Sequence, residues 1–521
     1  MTSSIEMSAR PNSERLAAIF GILMLIFCFC YFFELASFPF SLDEEWAALR
    51  KDPTVWIGQG RWGSFLIEKY ILPQAAIPVV PQLMFGLGCA ASFLMVLRAL
   101  GRDIFNLSVA DYASFVFFCA FPAWFFIVEF SSNIGSVGLG MTSGTYGAYL
   151  AMTSERAKGG LSGVLLLLLV SLLGAFAIAT YQTLLFYLFC ICAGCLIGRS
   201  LHQEGSVDRW LLLKAALFLI GSVAFYAVVS ALFKNLYSIQ ETYTNAFFHL
   251  DYFLADPVQA MIKTATEGAA FYGVVEAVYH SPVWALPIVI LAGAIGLAVD
   301  GRLHAFGRLA VLAGAAAILA APFALNPFFP GLVLGRTMVA VPVAAWLLCY
   351  FGLNSPHHVV RAATSVALAV AIAQIVVLQN RSQASGYFLA KHDLLVATSI
   401  YDRLGNSPAF RKGTRYAIAV YGGRTYRTVF PVPATSNAAA SFLGPFVGNS
   451  QRVLSYLKIV GLEGLRPATQ AELDAVVVRL SKMPIWPAAG SVVLENGVLL
   501  VRLARDPGPT ETESLKRVGA L

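Results

Sequence analysis

The sequence predicts a polytopic α-helical membrane protein, with about eleven transmembrane helices followed by a small soluble α/β domain. Three observations predict it: apolar runs long enough to span a bilayer recur, charge is scarce until the last quarter of the chain, and basic residues fall on alternate connections. Of 521 residues, 58% are hydrophobic and 12% charged, about half the charged share of an ordinary globular chain. One water-soluble core cannot hide that much apolar surface, so lipid must solvate most of it.

The runs centre on residues 16–35, 80–98, 110–129, 136–153, 161–179, 183–198, 210–233, 283–299, 309–325, 337–353 and 359–378. None alternates with a period of two, which excludes barrel strands. The first is long and no small-residue cleavage site follows it, so it reads as an uncleaved span. With the N-terminus inside, the inner segments hold Arg10 and Arg15, Arg98 and Arg102, Arg156 and Lys158, Arg199, Arg209 and Lys214, Arg302 and Arg308, and Arg361. The short outer connections at 131–135 and 181–182 hold no Lys or Arg, as the positive-inside rule requires. An odd number of spans then places the C-terminal region outside.

The net charge of +7 comes from Lys and Arg scattered singly, a topology signal rather than a phosphate-binding stripe, so no nucleic-acid partner is expected. All eight cysteines lie in apolar runs, which disfavours disulfides and zinc. The expected division is a membrane domain over 1–378, with outer loops 34–80 and 234–282, and an extracytoplasmic α/β domain over 379–521. In the latter, 386–404 and 470–482 look helical and 415–421 reads as a strand. Residues 492–495 and 498–503, joined at Asn496-Gly497, carry a hairpin signal.

Chemistry concentrates outside. After the first run comes Phe40-Ser41-Leu42-Asp43-Glu44-Glu45-Trp46. Clustered carboxylates raise one another's pKa, which suits one of them to proton transfer; a solvated acidic turn with Asp43 as helix N-cap accounts for the same residues. In Gly58-Gln59-Gly60-Arg61-Trp62-Gly63, Trp62 offers a face for a sugar ring and Arg61 a partner for phosphate, although interfacial Trp and Arg are also common anchors. Arg336 sits at the start of the tenth run, where a lipid phosphate would lie or where an arginine simply snorkels. Tyr181-Gln182 forms a very short connection, and Glu129, at membrane depth, should face protein or water.

Together these residues resemble the type II Gtr glucosyltransferases, membrane enzymes that decorate bacterial O-antigen and belong to the GT-C glycosyltransferase superfamily. The resemblance rests on Ser41-Leu42-Asp43-Glu44-Glu45, Gly60-Arg61-Trp62, Tyr181-Gln182 and Met483-Pro484-Ile485-Trp486-Pro487. It implies a GT-C-like fold in the bacterial inner membrane, with the C-terminal domain periplasmic. It also implies transfer of a sugar, typically glucose, from a polyprenyl-phosphate carrier to a glycan acceptor. Asp43 and Glu44 match the family's acidic pair, often Asp-Asp, so Glu at 44 leaves the division of roles open; Asp43 is the expected general base, with Glu44 orienting it or the sugar. Arg336 and Arg61 are the expected partners of the departing phosphate, and Trp62, Tyr181, Gln182 and Glu45 complete the substrate-binding set. No cofactor is called for. Some GT-C enzymes bind a divalent metal beside such carboxylates, and the sequence leaves that point open. Two rivals stay open as well: a transporter or flippase of lipid-linked sugar, and a glycan polymerase or ligase.

Overall fold

A computed structural model describes residues 12–37, 40–73, 77–154, 161–202, 208–240, 248–424, 426, 428–430, 432–433, 436, 440–444 and 449–521. Arg10, Arg156 and Lys158 of the topology reading lie outside the described residues. The chain divides into two compact units. The first comprises Met1–Phe38, Asp52–Asn380 and Pro433–Thr435, and the second Pro39–Lys51, Arg381–Val432 and Ser436–Leu521.

The first unit is helical. Every apolar run forms helix, but among the described residues seven helices are long and apolar enough to cross a membrane, or eight if a bent pair counts as one span. The seven are Asn12–Cys30, Val80–Ala99, Leu161–Thr180, Leu184–His202, Arg209–Tyr237, Ala305–Phe328 and His358–Gly405; the bent pair is Val109–Cys119 with Pro122–Val128, broken by 48°. Pro122 causes the break, because it lacks an amide hydrogen and its ring clashes with the preceding turn. The count of eleven is therefore not reached. Ala285–Ala298 and Val341–Leu353 have 14 and 13 residues, about 20 Å of rise against roughly 30 Å of hydrocarbon. Ser131–Thr153 is long enough, but its many Gly, Ser and Thr residues keep it out of the apolar set.

Those small residues let helices cross closely, as they do where lipid offers no hydrophobic drive to association. A methyl group on Gly88 would stand 2.5 Å from the carbonyl oxygen of Gly138, and one on Gly138 would meet the Met84 backbone. Gly174 meets Ser222 and Gly221 meets Ser171 in the same way, joining Leu161–Thr180 to Arg209–Tyr237. The core between the helices is aromatic, with Trp124, Trp346, Phe85, Phe93 and Phe115 buried. Glu129 is buried at the junction of Pro122–Val128 and Ser131–Thr153, so it faces protein.

The second unit is a small mixed domain. Strands β1 (Tyr416–Tyr421), β2 (Leu465–Pro467), β3 (Val492–Glu495) and β4 (Val498–Arg502) form one sheet in the order β2-β1-β4-β3. β1 runs parallel to both neighbours, and β3 and β4 make the antiparallel hairpin expected at Asn496-Gly497. Both turn residues take positive φ, 50° and 77°, which Asn and Gly tolerate best. β1 is buried along its whole length because each face carries a separate core. On one side Ile418 and Val420 meet Val396, Ile400, Val453 and Leu457; on the other Ala417 and Ala419 meet Leu473, Val477 and Leu480. The helix Gln470–Lys482 starts on a capping box in which Thr469 and Glu472 satisfy each other's backbone N–H groups. Arg466 beside Glu472 pulls that carboxyl down to about 2. Leu42 and Phe40 join the first of the two cores, which anchors the segment 39–51 in this unit.

Candidate functional site

The expected site residues fall into two groups, one in each unit. In the first unit, the turn before the helix Trp62–Tyr70 brings Arg61 to the connection between Leu161–Thr180 and Leu184–His202. Gly60 takes φ of 71° to make that turn, a conformation open to glycine without a steric penalty. The Arg61 Nε donates to Gln182 Oε1 at 3.2 Å, and the Gln182 Nε2 donates to the Gln59 carbonyl at 2.5 Å. The Arg61 guanidinium lies 4.5 Å from the centre of the Tyr181 ring, within cation–π range. The Tyr181 hydroxyl donates to the Arg336 carbonyl at 3.0 Å, and the Arg336 guanidinium lies over Phe130 at 5.2 Å. Arg61, Tyr181, Gln182 and Arg336 thus form one cluster. It occupies the starts of Leu184–His202 and Val341–Leu353, whose other ends carry Arg199, His202 and Asn354.

Trp62 does not join that cluster. Its ring is 4% exposed, stacked on Phe233 at 5.8 Å with Phe176 at its edge. Next to it Gly63 abuts the Ala179 backbone, where a methyl group would stand 2.9 Å from the carbonyl carbon, and Ser64 donates to the Thr180 carbonyl. The short helix is therefore wedged against the bundle, and Trp62 is core rather than an open platform.

In the second unit, the three consecutive carboxylates separate. Asp43 precedes the helix Glu44–Leu49 with φ of 82° and makes no side-chain cap, so the capping role open to it in sequence goes unused. Its short polar side chain is what makes that left-handed conformation tolerable. The Glu44 carboxylate instead accepts from the Ser41 amide at 3.0 Å and is buried. Glu45 is wholly buried and ion-paired with Arg452 Nη1 at 2.6 Å, and Arg452 Nη2 reaches Asp43 Oδ1 at 2.9 Å. Asp43 alone remains open, its side chain 48% exposed. Burial pushes the Glu45 carboxyl above its ordinary range, against the opposing pull of Arg452; its Oε2 is buried with no hydrogen-bond partner among the described residues. Trp46, three residues beyond Asp43, is exposed and lies 5.6 Å from the Arg452 guanidinium.

Arg452 is the residue that the sequence did not reveal. It stands in the helix Asn449–Ile459, 407 positions from Glu45, and nothing local marks it. Among the described residues no three His, Cys, Asp or Glu side chains are grouped to hold a metal ion. Asp43 and Glu45 share Arg452 as partner, whereas Glu44 turns to the Ser41 amide.

The fold and these clusters define a multi-pass helical membrane protein with a polar, aromatic-lined cluster at one end of its helices and a separate α/β unit. The model of the glucosyl transferase GtrII family matches residues 18–352, well over half the chain, and the protein belongs to that family. Membership makes it a glycosyltransferase. The match includes all eight expected site residues and stops short of Arg452 and of the Met483–Pro487 stretch. The comparison with curated proteins gives no match.

Proposed function

We propose that the protein transfers a glucosyl group from a polyprenyl-phosphate carrier to a cell-surface glycan on the outer face of the bacterial cytoplasmic membrane. The observation that carries the assignment of the base is the exposure of Asp43 beside the burial of Glu44 and Glu45. Only Asp43 is open to an acceptor hydroxyl. As that hydroxyl attacks the anomeric carbon, its proton passes to Asp43, the bond from carbon to phosphate oxygen breaks, and polyprenyl phosphate departs with the electron pair. Glu44 holds the turn that presents Asp43. Trp46 supplies the exposed ring for a sugar face, the part expected of Trp62. In the first unit Arg336 and Arg61, placed by Tyr181 and Gln182, suit the phosphate of a lipid carrier, because fixed positive charge stabilises an anion.

The sidedness follows from charge. Arg98, Arg102, Arg199 and Arg302 mark the helix ends opposite the Arg61 cluster, and basic ends stay inside. We count Ser131–Thr153 as a crossing and the two short helices as well, since a short apolar helix crosses where the bilayer thins locally; eleven spans would then leave the C-terminal unit outside. A nucleotide sugar is not available there, which supports a lipid-phosphate donor. The test is transfer by the purified protein from polyprenyl-phosphoglucose, with UDP-glucose as the alternative donor. Transfer from the lipid donor alone is expected, and full turnover on UDP-glucose alone would sink the proposal.

A further inference from the structure

The second unit contains a cavity of about 630 Å³ that the reaction above leaves unused. Tyr401 and Phe410 contribute rings to its wall, and Lys412, Arg415, Lys458 and Glu463 contribute charge. Two loops build it. Gly413 and Gly464 take φ of 85° and 88°, and the Tyr416 amide donates to the Gly464 carbonyl at 2.9 Å, which ties the loops together where β1 and β2 begin. Three cations thus face one carboxylate. Lys412, Lys458 and Glu463 make no ion pair among the described residues, so no ion pair among them neutralises the surplus positive charge. Leu49 also lines the cavity. It ends the helix Glu44–Leu49 that Asp43 precedes, and six residues of helix rise about 9 Å.

We propose that this cavity binds an acidic saccharide segment of the acceptor glycan, the acid being a carboxylate or a phosphate monoester. The proposal rests on the reading of Asp43 as the base that receives the acceptor's proton. The volume lies within the range of small-ligand sites. Surplus cations select an acid over a neutral sugar, rings offer faces for pyranoses, and Glu463 and Thr414 accept hydrogen bonds from hydroxyls. A phospholipid headgroup shares the negative charge but leaves the two rings and Glu463 without a role.

The experiment titrates the full chain, in nanodiscs of neutral lipid at low ionic strength, with trigalacturonate, a phosphorylated maltotriose, neutral maltotriose and soluble dihexanoyl phosphatidylglycerol. At least one acidic saccharide should bind about 10-fold more tightly than maltotriose, and the two acidic arms show which acid is read. Because Lys412 and Lys458 are exposed, the double variant Lys412→Ala/Lys458→Ala should fold and lose that preference, with KM for an acidic acceptor rising by a similar factor. Asp43→Asn should retain acidic-saccharide binding while losing transfer, so a wrong base and a wrong cavity give different results. Equal binding of acidic and neutral saccharides, a preference that survives in the double variant, or lysine-dependent binding of phosphatidylglycerol in place of saccharide would each overturn the proposal.

Discussion

Replacing Arg452 with alanine tests whether the acidic turn is held by a long-range ion pair. Arg452 is 17% exposed and its partner Glu45 wholly buried, with 2.6 Å between the charged atoms. Removing one member of such a pair strands the other, at a typical cost of about 3 to 5 kcal/mol. The partial exposure of Arg452 points to the lower end, about 3 kcal/mol. For a unit of about 150 residues, that corresponds to a fall in Tm of roughly 6 to 12 °C. The effect depends on pH with a definite sign. Burial raises the Glu45 pKa in the fold, so the associated stability is full below the unfolded carboxyl pKa and is lost as pH rises through the folded value. Without Arg452 the folded value rises further, and Arg452→Ala should be weakest near pH 8 and partly recover near pH 5. Glu45→Gln in the same chain removes the stranded charge and should restore most of the loss at pH 8, as a double-mutant cycle requires of a direct pair. Thermal unfolding of the detergent-solubilised protein, followed by intrinsic fluorescence, supplies the measurement. Equal Tm values for Arg452→Ala and wild type at pH 8, or no recovery with Glu45→Gln, would refute the reasoning.

Asp43→Asn keeps the side-chain shape and removes the proposed base, so transfer should drop by about 10² to 10⁴ at normal expression; near-normal transfer would return the acidic turn to a purely structural role. Gly138→Val should prevent Val80–Ala99 and Ser131–Thr153 from crossing, because the added carbons meet the Met84 and Phe85 backbone. Loss of the folded, detergent-stable fraction is the expected result, and wild-type yield with unchanged Tm would contradict it. A phosphatase reporter fused near Pro507, in the second unit, should be active only outside the cytoplasm, and activity confined to the cytoplasm would invert the proposed sidedness.

Much of the architecture is legible because it is local. Helical runs follow from unbroken apolar stretches, the hairpin from Asn496-Gly497 with φ positive at both residues, and the start of Gln470–Lys482 from the Thr469 and Glu472 capping box. Where the reading failed, apolarity had stood in for helix length. The apolar run ending near residue 378 and the helix expected over 386–404 read as two elements, yet they are one helix of 48 residues ending at Gly405, since Gln379, Asn380 and Arg381 are polar but compatible with helix. Conversely, Ala285–Ala298 and Val341–Leu353 are apolar but short.

The sequence by itself determined the solvent of the chain, the helical class, the hairpin and the stretches where polar chemistry concentrates, since each depends on composition or on neighbours within a few residues. Only the tertiary structure decided which of those polar residues are buried and what they touch. Asp43, Glu44 and Glu45 are chemically near-equivalent as letters, and their difference comes from Arg452 and from the core that takes in Leu42. Trp62 reads in sequence as the sugar platform, yet Phe233 covers it, while Trp46 stays exposed. Burial and charge pairing are set by residues hundreds of positions away, and a side chain's free energy in that environment carries no signature in its immediate sequence.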